Sequence, residues 1–341
     1  MMDGDSELIM QTERMDDNKA AAVYKHRLLV DNDYAKQELE KAQTEWETVN
    51  STRSDTNVNS WPGNTEIITI DDVISHFKSA DMSIYMANIV PVIERSKLAS
   101  LFRLIWGPPV LDSSLDDERK LVFAIASCPF HNEEIVHLRV LQSIYKLLTN
   151  NQNDCPRYGS HWEQIGFQGN DPSTDLRGVG FLGLLHLLYI VMNPQTLSLA
   201  RDILQLSRDE KQNFPFAVMG INLTRIVLQA LREERLNKEC NRKKNVILVV
   251  NEFYVGIFLH LYNIWSKNNV TIESSGFILK DVESTVKKRP KVLLRNLEDY
   301  INTKNKLETN SSKLNPAQTT QETRIFSDIE SELRFVDDEI T

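Results

Sequence analysis

From about residue 66 to residue 304 the apolar residues recur at helical spacing, and no stretch alternates apolar with polar positions as a half-buried strand would. Ser114 with Asp117 reads as a capping box ahead of Leu121, Val122 and Ile125. Asn132 precedes two glutamates and a stripe at Leu138, Leu141, Tyr145 and Leu148, spaced for one helix face. Residues 179–192 are almost all apolar, which predicts a helix buried on most sides. Leu197, Ala200 and Ile203 mark another face. Phe214-Pro215-Phe216 places proline where a helix starts, continued by Val218, Ile221, Leu228 and Leu231. An apolar helix over 246–265 and an amphipathic one over 277–286 complete the set. No 20–50-residue repeat is visible. The expectation is an all-α fold: a compact multi-helix domain between flexible N- and C-terminal segments.

The ends differ from the middle. Residues 1–65 are charged and read as largely disordered, with one helix candidate over 16–49 and a polar linker, STRSDTNVNSWPGN, over 51–64. Residues 66–114 read as a helical lead-in packing on the domain at 115–304, and 305–341 as a polar, disordered tail.

Composition narrows the function. The 341 residues carry 48 acids against 39 bases, a net charge of −9, which argues against a nucleic-acid binder. Three distant cysteines, Cys128, Cys155 and Cys240, make neither a disulfide framework nor a zinc site, and they suit a reducing, cytoplasmic setting. The N-terminus has neither the basic region nor the apolar core of a signal peptide. The 246–265 stretch is interrupted by Asn251, Glu252, His260 and Asn263, so a buried core helix suits it better than a transmembrane span. The clusters Arg242-Lys243-Lys244 and Lys287-Lys288-Arg289, with Lys291 and Arg295, read as solvated helix ends, or as docking points for an acidic protein face or anionic lipid.

Most catalytic signatures are missing: there is no P-loop, HExxH, GxSxG or kinase loop. Gly178, Gly180 and Gly183 match GxGxxG, but turn residues precede them where a nucleotide-binding strand is required, so close helix packing is the better reading. His186, inside an apolar helix, reads as a hydrogen-bonded core residue.

The informative segment is HWEQIGFQGNDPSTDLRGVG, residues 161–180. Trp162 and Phe167 anchor it to the core. Gly166, Gly169 and Pro172 force a tight path, with Asp171 and Gly178 completing the loop. Thr174 or Asp175 is placed to cap the buried helix that follows, which would hold Arg177 in or just before its first turn. A cation sits badly there, because the helix dipole favours anions. Either Asp175 or another buried acid pairs with Arg177, or the side chain reaches outward to an anionic partner; spacing alone leaves both open. Arg225, spaced with Ile221 and Leu228, is assigned to an apolar face, and Glu252 is the expected partner in a structural ion pair.

Three blocks in order, WEQIGFQGNDPSTDLRGVGFLGLLHLLYIV, FPFAVMGINLTRIVLQALREE and NEFYVGIFLHLYNIW, resemble the ELMO (engulfment and cell motility) domain, over roughly residues 115–304. The resemblance implies a GTPase-activating protein for Arf and Arf-like small GTPases, with Arg177 as the catalytic arginine. Gln168 then holds the loop or orients the attacking water, the first role being favoured. No metal or cofactor of its own is implied, because Mg²⁺ and GTP arrive with the GTPase. The larger engulfment proteins lack this arginine and serve as scaffolds. The alternative reading is therefore a non-catalytic module that binds a small GTPase or a cytoskeletal regulator. Relatives also suggest peripheral association with membranes, cilia or actin-rich projections, which no residue here encodes. Leu176 stands where the family often has Phe, and His186 where it usually has Asn.

Overall fold

The computed structural model describes residues 63–87, 89 and 107–311, which lie in one compact unit running from Gly63. The helix candidate at 16–49 and most of the proposed linker and tail lie outside the described residues. Among the described residues every regular element is helical. The α-helices are α1 (Ile70–Ser79), α2 (Ser83–Met86), α3 (Asp116–Ser127), α4 (Ile135–Thr149), α5 (Leu182–Met192), α6 (Pro194–Leu206), α7 (Phe216–Arg232), α8 (Asn237–Lys243), α9 (Val246–Lys267), α10 (Ser275–Lys288) and α11 (Pro290–Ser311). Short 3₁₀ helices cover Ser113–Leu115, Ser160–Ile165, Pro172–Leu176 and Ile272–Ser274.

Side-chain chemistry sets the helix starts. Thr69 and Asp72 form a reciprocal capping box on α1. Asn193 accepts from the Gln195 N–H with Pro194 in the first turn of α6, and Asn245 accepts from the Leu248 N–H on α9. Entry into α3 differs from the sequence expectation. Asp112, not Ser114, is the capping side chain, and the helix is entered through the 3₁₀ turn at 113–115.

Two apolar helices make the centre. In α5, nine of eleven residues are buried, from Leu182 to Val191. It packs against α4, α6, α7 and α9. Helix α9 is long and apolar enough to cross a membrane by length and composition, but 67% of its most apolar window is buried inside this fold, against α5, α7 and α11 among others. Each Leu, Ile or Phe so enclosed contributes about 1.5–3 kcal/mol, so packing, rather than helix propensity, holds these two helices.

Helix α1 of the lead-in packs on α3, α4 and α5. A buried ion pair between Lys146 and Asp154 ties the stretch before α1 to the domain: Asp154 accepts from Thr65 N–H and Oγ1 at 3.0 Å each, and Lys146 donates to the Thr65 carbonyl at 2.9 Å. At the other end α11 continues to Ser311, past the expected start of the tail.

Candidate functional site

The loop between α4 and α5 is built on Trp162. Its ring is fully buried, edge-on to Tyr145 and Phe167, and its Nε1 donates to the Arg157 carbonyl at 2.9 Å. Gly166 follows with φ +82°, a left-handed conformation that suits glycine. Its carbonyl accepts from the Val218 N–H at 3.1 Å, and a β-carbon there would lie 2.2 Å from the Phe216 nitrogen. The turn is thus pressed directly against the start of α7.

Gln168 and Asp175 close the loop on itself. The Gln168 N–H donates to Asp175 Oδ2 at 2.7 Å. Burial pushes the Asp175 carboxyl up to about 6, with Asp171 adding to the rise and the Gln168 N–H and Arg177 opposing it. Gln168 therefore contributes its backbone to the loop, while its side chain is on an exposed residue, as are Gly169 and Asn170.

Asp171 caps the 3₁₀ helix at Pro172–Leu176: it accepts from Ser173 N–H at 2.9 Å and from Ser173 Oγ at 2.8 Å. The Thr174 hydroxyl donates to the Asp171 carbonyl at 2.8 Å. Pro172 and Leu176 are buried beneath. Asp171 is in turn held by Arg157 at 2.7 Å. The Arg157 guanidinium lies between the rings of Phe130 (4.3 Å) and Tyr158 (4.5 Å), and its Nε donates to Asn132 at 2.9 Å. Sequence reasoning missed Arg157. Its partners lie in separate segments, so no periodic pattern or short motif marks it.

Arg177 ends this 3₁₀ helix and is exposed. Its guanidinium makes no hydrogen bond or ion pair with any described residue, and of the acids only Asp175 is resolved as feeling its charge. The sequence put Arg177 in or just before the first turn of α5; it lies ahead of that turn, outside the helix. A run of turn residues from Arg177 to Phe181 separates it from the helix, which has no side-chain cap from Thr174, Asp175 or any other residue. The conflict with the helix dipole therefore does not arise. Gly178 (φ +82°) and Gly180 (φ +53°) carry the chain through that turn, and a β-carbon on Gly180 would lie 2.5 Å from the Ala126 carbonyl oxygen. With a 3₁₀ helix before them where a strand would be needed, these glycines serve packing and give no dinucleotide site.

The expected Arg225–Glu252 pair is also corrected. Glu252 pairs with Lys243 at 2.5 Å. Arg225 is exposed; it donates to Asn222 Oδ1 at 3.3 Å and lies 3.5 Å from the Arg177 carbonyl, beside Gly178. Val218, Asn222, Arg225, Gln229 and Arg232 form the narrow solvent stripe of a helix buried almost all round, so Arg225 needs no buried partner.

His186 is a core residue, as expected. The Thr224 hydroxyl donates to the Gly220 carbonyl (3.2 Å), so it accepts from His186 Nδ1–H (2.9 Å), and the ring stacks on Tyr254 at 4.6 Å. Burial drives the imidazole down to about 3 and keeps it neutral. Among the described residues no group of three His, Cys, Asp or Glu side chains is placed to hold a metal ion.

Similarity to known proteins runs through the helical domain that carries this loop. Residues 120–279 match the profile of the ELMO/CED-12 family. The chain is 49% identical to ELMO domain-containing protein 3 of Bos taurus over 77% of its own length and 70% of that protein's, and 47% identical to the Homo sapiens protein of the same name over the same shares. ELMO domain-containing protein 2 of Homo sapiens is 36% identical over 34% of this chain and 39% of its own. The chain therefore belongs to the ELMO/CED-12 family. No solved structure gives a significant match.

Proposed function

We propose that this protein is a GTPase-activating protein for small GTPases of the Arf and Arf-like group in their GTP–Mg²⁺ form, with Arg177 as its catalytic arginine. Membership of the ELMO/CED-12 family points to small GTPases as partners in general. The observation that carries the finer reading is Arg177 itself: exposed, unpaired among the described residues, and mounted on a loop whose backbone is fixed at Gly166, Asp171 and Gly180. Such a guanidinium can enter a partner's site without first breaking an ion pair. There it would stabilise charge developing on the transferred phosphoryl group, an effect worth about 10³–10⁵ in rate. Arginine suits the task because its fork donates several hydrogen bonds and keeps its charge.

Trp162, Gly166, Phe167, Gly169, Asp171, Pro172, Thr174, Asp175 and Gly178 act in this reading as loop support, and Gln168 holds the loop through its N–H. The chemistry needs no metal or cofactor from this chain, since nucleotide and Mg²⁺ belong to the GTPase. We place the activity in the cytoplasm, where the buried thiols of Cys128, Cys155 and Cys240 would stay reduced.

The test is single-turnover GTP hydrolysis across purified Arf and Arf-like proteins, with wild type beside Arg177→Ala and Arg177→Lys. The expected outcome is an acceleration that both substitutions lower at least ~100-fold, with urea stability unchanged. Binding without acceleration for every GTPase tried would refute the activator reading and leave a recognition module.

A further inference from the structure

Four cations of the basic clusters that the sequence singled out turn out to be neutralised. Arg242 pairs with Glu239 at 2.7 Å, Lys243 with Glu252 at 2.5 Å, Lys244 with Asp112 at 2.5 Å and Lys287 with Glu283 at 2.7 Å. Lys288, Arg289, Lys291 and Arg295 are exposed and make no ion pair with a described residue, and three arginines of the loop and α7 share that state. Arg177, Arg225 and Arg232 are exposed, and none makes an ion pair with a described carboxylate. Arg225 donates to Asn222 and points back to the Arg177 carbonyl. Arg232 lies with its guanidinium 5.3 Å from the Phe123 ring.

The two α7 arginines sit seven residues apart, two helical turns on one face, or about 10.5 Å along the axis. In a chain of net charge −9, Arg225 lies beside the Arg177 backbone and Arg232 two turns on, with no carboxylate of a described residue paired to any of the three.

We propose that Arg225 and Arg232 continue from Arg177 as a docking stripe for an acidic face of the partner GTPase. This rests on the assignment of Arg177 above. Once Arg177 reaches a nucleotide, the surface that meets α7 beside it must be the protein holding that nucleotide. Arg225 leans back toward the loop, so it meets the partner's surface while Arg177 reaches the phosphate. The unpaired charge would steer association and fix the approach of α7, as charge complementarity does at interfaces.

The test uses the full chain with Arf and Arf-like GTPases loaded with a non-hydrolysable GTP analogue, and measures binding at low and high salt. The charge-reversed double variant R225E/R232E should bind at least ~10-fold more weakly at about 50 mM salt, with the gap narrowing at about 500 mM. R225K/R232K, which keeps the charge, should stay within ~3-fold of wild type. In single-turnover hydrolysis the charge-reversed variant should raise the GTPase concentration needed for half-maximal rate, while Arg177→Ala should lose the rate and keep the affinity.

Urea midpoints check that the variants fold. If R225E/R232E binds as wild type does at low salt, the stripe is overturned whatever Arg177→Ala does. If binding weakens as expected but no GTPase is accelerated, the stripe stands and the activator reading falls. If no GTPase binds, or if the substitutions abolish binding to phosphatidylserine vesicles and leave GTPase binding intact, the proposal is overturned.

Discussion

Replacing Gly166 with alanine, with Gly169→Ala as its partner experiment, separates the two demands that the loop makes on glycine. Both residues have left-handed backbones, at φ +82° and +70°. Each substitution should therefore cost about 1–2 kcal/mol in conformational strain, offset by about 0.4–1 kcal/mol from a stiffer unfolded chain. Here the two positions part. A β-carbon on Gly169 meets nothing within 4 Å, whereas one on Gly166 would sit 2.2 Å from the Phe216 nitrogen, 2.7 Å from the Pro215 carbonyl carbon and 2.9 Å from the Ala217 nitrogen. These are backbone atoms at the head of α7, so no rotamer change relieves the overlap. The loop must back away by about 1 Å, adding about 1–3 kcal/mol of overpacking. It would also weaken the Val218 N–H to Gly166 carbonyl bond, a further loss of about 1 kcal/mol. Gly166→Ala should thus cost about 3–5 kcal/mol and Gly169→Ala about 1, as read from urea unfolding midpoints with unchanged m values. Equal losses from the two substitutions would refute the claim that the turn is clamped to α7.

Two other perturbations probe what holds the domain. His137 and His186 are both held down to about 3 by burial, with His131 and His76 adding to the effect at His137. The unfolded chain takes up protons that the native state refuses, so their stabilisation is complete above about pH 6.5 and is lost as pH falls toward 3, at about 1.4 kcal/mol per unit per residue. His186→Leu should visibly flatten urea stability against pH between 6.5 and 4; an unchanged slope would contradict the assignment. Lys146→Met leaves Asp154 buried without its cation and should cost about 3–5 kcal/mol. Chemical denaturation beside Asp154→Leu and the double variant checks this, with the double expected to lose less than the sum; strict additivity would mean that the pair is not coupled.

The helices were legible because burial imposes a period on the sequence, and α5 and α9 were so apolar that only the core could hold them. What escaped has identifiable causes. Arg225 is assigned to an apolar face because Ile221 lies four residues before it and Leu228 three after it. Apolar residues surround α7 on nearly every side, so that spacing is met by its solvent stripe as well as by its buried faces. A helix buried nearly all round has no amphipathic contrast from which to orient it. Asp112 took the capping role expected of Ser114 because the 3₁₀ turn moved the helix start, a shift of a few residues that side-chain spacing does not encode. For the loop, sequence gave the anchors and the glycines but not the Arg157–Asp171 strut, which exists only once Phe130 and Tyr158 come together in space.

The remaining question from the sequence was whether Asp175 captures Arg177, and the contacts of the carboxylate answer it. No ion pair joins the two, and burial, rather than any guanidinium, dominates the Asp175 carboxyl and pushes it up to about 6. The carboxylate is committed to the Gln168 N–H, where it closes the loop. Arg157, the other arginine of the region, is used as a strut on Asp171. One arginine and two acids thus stiffen the loop through its backbone and leave the second arginine outside the network. The catalytic role proposed for Arg177 needs that division. The side chain must be free to leave the surface, while the peptide that carries it must not move, since misplacement by about 1 Å at a reacting centre can cost about 10²-fold in rate.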